Sequence, residues 1–351
     1  VIKNIIMLNK LKYILISILV LAGITAVIPF IFPLTDTASF TGNYRIPYSM
    51  GEDYFLYSRY SGSIADYRIP VIGDSVIWGH YTDSENTLPA HLNRLNAKPL
   101  FVNMGLDGIH PAAMNGLIEI YSSGLKNKKV IAGVNLLWMS SARHDLSGPV
   151  NSEINHKILL PQLSQEIPSY KPSFEEKISA SITRSIPFFA WIDHLRLSKF
   201  AGKSFYIWTM DNPDKSIIEY FSNKGDEFKA PEGIHPDKMQ EQEIEWITTE
   251  KSLQWKFMID TLISLKKNGN EVAAVITPFN TYMMTAGSRK KYFSILAEME
   301  WILRENGITP IIPLIPEKKY FADSSHPNAE GYKLIAEDMM KNREFLEFIR
   351  N

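Results

Sequence analysis

Five short apolar runs, separated mostly by helical patterns, constrain this chain more than any other feature. They are Ile69–Ile72, Leu100–Val102, Lys129–Val134, Val272–Thr277 and Ile311–Leu314. Apolar runs this short, bounded by turn residues, predict buried strands. Leu88, Leu92 and Leu95 share one helical face behind the Thr87-Leu88-Pro89 start, and a second helix is predicted from Pro111 to Ser122. A third runs from Arg289 to Glu305 and is closed by Asn306-Gly307; a last one follows through "NAEGYKLIAEDMM". Strands alternating with helices predict a doubly wound, mainly parallel α/β sheet.

The alternation breaks between the third and fourth strands. Residues 139–269 are far more than a crossover needs, so they are expected to form a large, helical insertion. "DKMQEQEIEWITTEKSLQWKFMIDTLISLKK" reads as one long helix carrying Ile244, Ile247 and Leu262, and Asn268-Gly269 ends it. "SIPFFAWIDHL" (185–195) is a dense apolar patch. These faces either pack on each other and the sheet or form a wall over the site. Residues 36–68, aromatic and polar without a clear period, read as a linker that becomes a domain edge. The catalytic domain is then expected at 69–138 and 270–351.

Ahead of all this lie 22 uncharged residues, Tyr13–Leu34. As a helix rising about 1.5 Å per residue they would cover the roughly 30 Å hydrocarbon core of a bilayer. Lys3, Lys10 and Lys12 precede the run and Asp36 is the first charge after it, which predicts a cytoplasmic amino end and a periplasmic or extracellular domain. Residues 1–35 are expected to be an N-terminal membrane anchor; a cleaved signal peptide, with Ala22 and Ala26 as its small residues, is the competing reading. The 351 residues carry a net charge of −1 and no long basic run, so nothing points to nucleic acid. No cysteine is present, which removes disulfides, thiolate nucleophiles and zinc–thiolate sites.

Ligands of such a sheet bind beyond the carboxyl ends of its strands. Gly73-Asp74-Ser75 follows the first strand, "NMGLDGIH" the second, "NLLW" the third, and "IPEKKYFADSSHPNAEGY" the last. Together they offer the Ser75 hydroxyl, backbone amides at Gly105 and Gly108, the Asn135 amide, and a carboxylate three residues before an imidazole, Asp323 and His326. A hydroxyl nucleophile, a base, an orienting carboxylate and oxyanion donors are what acyl transfer requires.

The four blocks, in this order, resemble those of the SGNH (GDSL-like) hydrolase and acyltransferase superfamily. The resemblance spans residues 69–138 and 270–342 and implies a flavodoxin-like three-layer sandwich. It assigns the nucleophile to Ser75, the base to His326 and its orienting acid to Asp323. The oxyanion hole falls to Ser75, Gly108 (rather than Gly105) and Asn135, and no cofactor or metal is implied. Two departures stand out: Leu136 replaces a frequent acid, and Val76-Ile77 replace the Leu that often follows the serine.

Other residues compete for attention. Glu232 and His235 in "PEGIHPD" mimic the last block, but precede two strands and are not expected to reach the site. His80 and His110 lie near the proposed site as candidate substrate contacts, but read more simply as surface or packing residues; Trp78 and Trp138 either line a pocket or pack in the core or at its rim. "GKS" at 202–204 lacks the glycine a phosphate loop needs. The leading expectation is a membrane-anchored serine esterase or O-acyltransferase working through an acyl-enzyme on Ser75. The resemblance implies an ester of a small acyl group, with an acylated carbohydrate or envelope polymer as candidate carrier; water and a sugar hydroxyl both remain open as acceptors. The alternative is an accessory subunit of an envelope-polysaccharide acyl-transfer system, using the fold for binding.

Overall fold

The computed structural model describes residues 2–31, 40, 42–96, 98–149, 154–163, 167–214 and 229–350. Residues 32–35 of the expected anchor, 36–39 and 41 of the expected linker, and 150–153, 164–166 and 215–228 of the expected insertion lie outside the described residues.

Strands β1 (Ile69–Gly73), β2 (Phe101–Gly105), β3 (Lys129–Val134), β4 (Glu271–Ile276) and β5 (Thr309–Ile311) form one sheet. Every pairing is parallel and the order is β2-β1-β3-β4-β5. The chain steps outward from β1 to β2, then returns past β1 to lay down β3. That reversal makes the crevice beyond β1 and β3 the topological switch point, where such sheets hold ligands.

The helices are α1 (Ile2–Ile31), α2 (Tyr54–Gly62), α3 (Ser75–Trp78), α4 (Leu88–Leu95), α5 (Pro111–Tyr121) and α6 (Phe174–Ser185). They continue with α7 (Pro187–Lys199), α8 (Phe205–Asp211), α9 (Leu253–Lys267), α10 (Ala286–Glu305), α11 (Ala329–Met339) and α12 (Arg343–Arg350). Register pairs Val71 with Ile131 and Ile131 with Ala273, so alternate residues of neighbouring strands share a face. Ile72, Met104, Ala132 and Ala274 face α2, α5, α9 and α10 in one core. Val71, Phe101, Ile131 and Val275 face α3, α4, α11 and α12 in the other. The result is the three-layer, doubly wound sandwich. Each fully buried large apolar side chain in these layers contributes about 1.5–3 kcal/mol.

Four expectations need correction. The segment read as a linker becoming a domain edge reaches the core instead: α2 places Tyr54, Leu56, Tyr57 and Tyr60 in the first core. The long helix ahead of β4 begins only at Leu253. Upstream, backbone donors are taken by distant partners: Gln242 N donates to Met283 O and Ile247 N to Met139 O. Ser252 caps the helix through Trp255 N, while the buried Asp145 carboxylate accepts from Leu253 N and Gln254 N. Ile244 and Ile247 are therefore not on a helix. This helix, α9, packs on α5, β3 and β4. It is the crossover of the sandwich itself, so the inserted material ends before it. Finally, β5 lies at Thr309–Ile311, earlier than Ile311–Leu314; Pro313 has no N–H to give a ladder.

Arg45 shows how tightly the early segment is joined to the site. Its buried guanidinium donates to Trp78 O (2.9 Å), Gly79 O (2.8 Å) and Thr82 O (3.0 Å), and lies 3.8 Å over the Trp78 ring. Burial lowers its pKa to about 10. Arg45→Ala would strand several carbonyls at once, and should destabilise the protein by about 2–4 kcal/mol, since each buried group left unpaired costs about 1–3 kcal/mol. A urea or thermal melt checks this; a change under 0.5 kcal/mol would contradict it.

Candidate active site

Ser75 is the first residue of α3, a single helical turn that starts as β1 ends. Asp74 caps the turn by accepting from Val76 N at 3.0 Å, and Gly79 closes it with φ +91°. Glycines let this turn sit close to the sheet. A Cβ on Gly73 would lie 2.3 Å from Ile77 Cγ1, one on Gly133 2.4 Å from the same atom, and one on Gly105 2.5 Å from Trp78 N. The glycine of the Gly-Asp-Ser block is thus required by the packing of Ile77.

The structure brings Ser75, His326 and Asp323 together. Ser75 Oγ lies 2.8 Å from His326 Nε2, and His326 Nδ1 lies 2.8 and 2.9 Å from the two Asp323 oxygens. Asp323 is fixed in turn by Ser325 N and His326 N, each donating at 2.8 Å. Burial works to raise Asp323, but its hydrogen bond to His326 and those from the backbone hold it below the usual carboxylate range. Burial likewise opposes charge on His326. The Asp323 bond and charge, joined by the charges of Asp74 and Asp107, outweigh that and raise the imidazole above its ordinary 6.5.

Asn135, immediately after β3, is held at both ends of its amide. Its oxygen accepts from Leu137 N at 2.9 Å and its Nδ2 donates to Asp74 Oδ2 at 2.8 Å. Trp138 Nε1 donates to the same oxygen at 2.8 Å. An amide nitrogen has two hydrogens, so one remains for a further acceptor. Burial pushes the Asp74 carboxyl up against these donors, which favour its charge. Asp74 therefore does more than cap a turn. Gly108 sits in the loop after β2 with φ +73°, a conformation that favours glycine. Leu136 is fully buried in the first core.

Several neighbours were not legible beforehand. Asp107 lies 2.6 Å from His80 Nδ1, and the His80 ring is centred 5.8 Å from that of His326. Tyr81 meets the His326 ring edge-on at 5.3 Å; burial, with the charge and hydrogen bond of Asp323, lifts its hydroxyl to about 12. Asp107 immediately precedes Gly108, the one signal that could have drawn attention to it. The inserted chain supports this loop from behind. His156 Nε2 donates to Asp107 O at 3.3 Å, leaving Nδ1 to accept from Tyr54 Oη at 2.9 Å. His110 Nε2 donates to Asn155 O at 3.2 Å while its Nδ1 accepts from Ala113 N at 3.3 Å. Burial, with a smaller contribution from His156, drives the His110 pKa down to about 3, so it is a neutral structural residue. Trp78 is a core residue whose Nε1 donates to Ile46 O.

The "PEGIHPD" segment does come beside the site loop: Ile234 N donates to Ala322 O at 2.6 Å. Its imidazole nonetheless turns outward, with His235 exposed and 3.4 Å from Asp237. Ser204 of "GKS" caps α8. Among the described residues no cluster of three or more histidine or acidic side chains could hold a metal ion.

No protein-family model matches the chain, and no curated protein matches it. Among solved structures, a protein of Desulfitobacterium hafniense DCB-2 assigned to the G-D-S-L lipolytic family is similar at 13% identity. The match covers 78% of this chain and 98% of that one, with a TM-score of 0.34. A likeness this loose carries no function across. The structure itself defines a doubly wound α/β protein with a serine, a histidine and an aspartate in hydrogen-bonded sequence at its switch point.

Proposed function

We propose that this protein is a serine ester hydrolase or O-acyltransferase that works through an acyl-enzyme on Ser75. The observation that carries the reading is the hydrogen-bonded run from Ser75 Oγ through His326 to Asp323, assembled from loops after the first and last strands. Ser75 Oγ attacks the ester carbonyl carbon as its proton passes to His326 Nε2, and Asp323 stabilises the imidazolium through Nδ1. The carbonyl oxygen takes the negative charge between the backbone amides of Ser75 and Gly108 and the remaining Asn135 hydrogen. The Ser75 amide lies in the first helical turn, where no intrahelical partner exists for it. Collapse breaks the ester C–O bond, and His326 returns its proton to the departing alkoxide. Water, or a sugar hydroxyl in the transferase case, then gives its proton to His326 and attacks the acyl carbon; the bond from that carbon to Ser75 Oγ breaks, and His326 returns the proton to Oγ.

The substrate in this reading is a small acyl ester on a carbohydrate or envelope polymer, presented outside the cytoplasm. Helix α1 supports that placement: residues Lys10–Ile31 are long and apolar enough to cross a membrane. The assembled acid–base pair favours an enzyme over a binding-only subunit. Catalysis needs neutral His326, so kcat/KM toward a small activated ester should rise with pH through an apparent pKa above 6.5. Asp107→Asn removes a charge that favours the imidazolium, which lowers its pKa and should move that limb to lower pH. A pH–rate profile of both proteins tests this; a limb that stays in place or moves upward in Asp107→Asn would contradict the electrostatic assignment.

A further inference from the structure

The inserted helices α6 and α7 present an apolar face that the described elements cover only in part. Phe174, Ile178 and Ile182 repeat every four residues along α6, Ile186 joins the two helices, and Phe189 and Ile192 follow on α7; all six are exposed. No residue of α6 is fully buried. A stripe at this spacing is the pattern of a helix that lays one side against something apolar.

What that something is follows from the neighbour of α7. Helix α7 packs on α1, on α2 and on α6. Among the described side chains of α1, residues 10–24 are all exposed, whereas Thr25 and Ile28 are half-buried and Pro29 is buried. The contact therefore falls in the last two turns of α1, within about 10 Å of its carboxyl end at 1.5 Å per residue. A bilayer core of roughly 30 Å takes up about 20 residues of helix, so a span beginning near Lys12 reaches the far interface at this level. Helix α7 then stands where the chain leaves the hydrocarbon. It is also fixed there, because His194 Nδ1 on α7 lies 2.7 Å from Asp53 Oδ2 at the start of α2, both side chains buried.

We propose that α6 and α7 form an interfacial platform whose apolar face lies in the acyl–headgroup boundary of the membrane that α1 crosses. An amphipathic helix in that plane buries its apolar side about 5–10 Å deep. The lipid surface, rather than a lid over Ser75, is then the occupant of the Ser185–Leu195 patch. By tying α7 to α2, the Asp53–His194 pair sets the sandwich at one orientation to the bilayer. The proposal rests on α1 crossing the membrane and not on the chemistry at Ser75.

The absence of cysteine from the chain makes the test direct. The full-length protein would be placed, one copy per disc, in nanodiscs of phosphatidylethanolamine and phosphatidylglycerol. Single cysteines at Leu19, Ile178, Ile182, Ile192 and Arg343 would carry an environment-sensitive fluorophore, and lipids bearing a nitroxide near the top of the acyl chain would be the quencher. Arg343 is an exposed residue of α12, on the opposite face of the sheet. The expected result is quenching at the three α6 and α7 positions several-fold above that at Arg343, with Leu19 in lipid as well. If Leu19 is lipid-embedded while the α6 and α7 labels resemble Arg343, the platform is disproved and the anchor stands. If Leu19 itself is in water, the platform falls with the anchor. If, in a second set of discs holding two copies, the α6 and α7 fluorophores report an apolar environment without quenching by the lipid nitroxide, the face belongs to a second copy of the chain and the proposal is overturned.

Discussion

Ser75→Ala is expected to lower turnover of a small activated ester by roughly 10⁴-fold or more, while leaving the protein folded. The hydroxyl is the only atom that can form the acyl bond in the proposed mechanism, so no other residue compensates for its loss. Its structural role is slight: one hydrogen bond to His326 Nε2 at 2.8 Å, worth about 1 kcal/mol net. Asp74 still caps α3, and Ile77 still packs on Gly73 and Gly133. Ester hydrolysis and a thermal melt separate the two effects. Retention of more than a tenth of the wild-type rate by a cleanly folded Ser75→Ala protein would remove Ser75 from the mechanism.

His326→Ala should be nearly as severe, also on the order of 10⁴-fold, because Ser75 then has no base within reach. Three other histidines named at the site have partners of their own. His110 and His156 are buried and neutral, with their ring nitrogens engaged by backbone or tyrosine partners. His80 is paired to Asp107. Asp323→Asn should be milder than His326→Ala by roughly 10–100-fold, since the carboxylate orients and stabilises the imidazolium without itself moving a proton. His235→Ala should leave the rate unchanged, given its exposed side chain. Initial rates of the three variants decide the matter. A severe loss in His235→Ala with a mild one in His326→Ala would reverse the assignment.

The strands were readable because each is largely buried on both sides and so carries an apolar run; β3 matches its expected limits residue for residue, while Asn103 inside β2 cut the expected second strand short. The edge strand β5 was displaced by its prolines, whose effect on a ladder depends on which neighbour is present. Helix α2 escaped notice because its buried positions are mostly tyrosines, Tyr54, Tyr57 and Tyr60, whose hydroxyls disguise an apolar stripe. The four blocks of the candidate site were legible because each lies at the carboxyl end of a strand, and a parallel sheet brings those ends to one edge. Other members of the site come from contacts between distant parts of the chain. Asp74 reaches Asn135 and Trp138 across 61 and 64 residues, and His156 braces Asp107 from the inserted segment. No local pattern announces such pairings. Arg45 belongs to the same group, since its partners are carbonyls at the far end of α3.

The most direct measurement is to react the wild-type protein with a fluorophosphonate, digest it, and locate the phosphonylated residue by mass spectrometry. Only an activated hydroxyl held beside a general base reacts readily with such a probe. The expected outcome is one adduct, on the peptide containing Ser75, formed faster as pH rises through the His326 titration and absent from Ser75→Ala. A fully folded wild-type protein that takes up no label at Ser75, or takes it up equally when His326 is alanine, would contradict the acyl-enzyme reading.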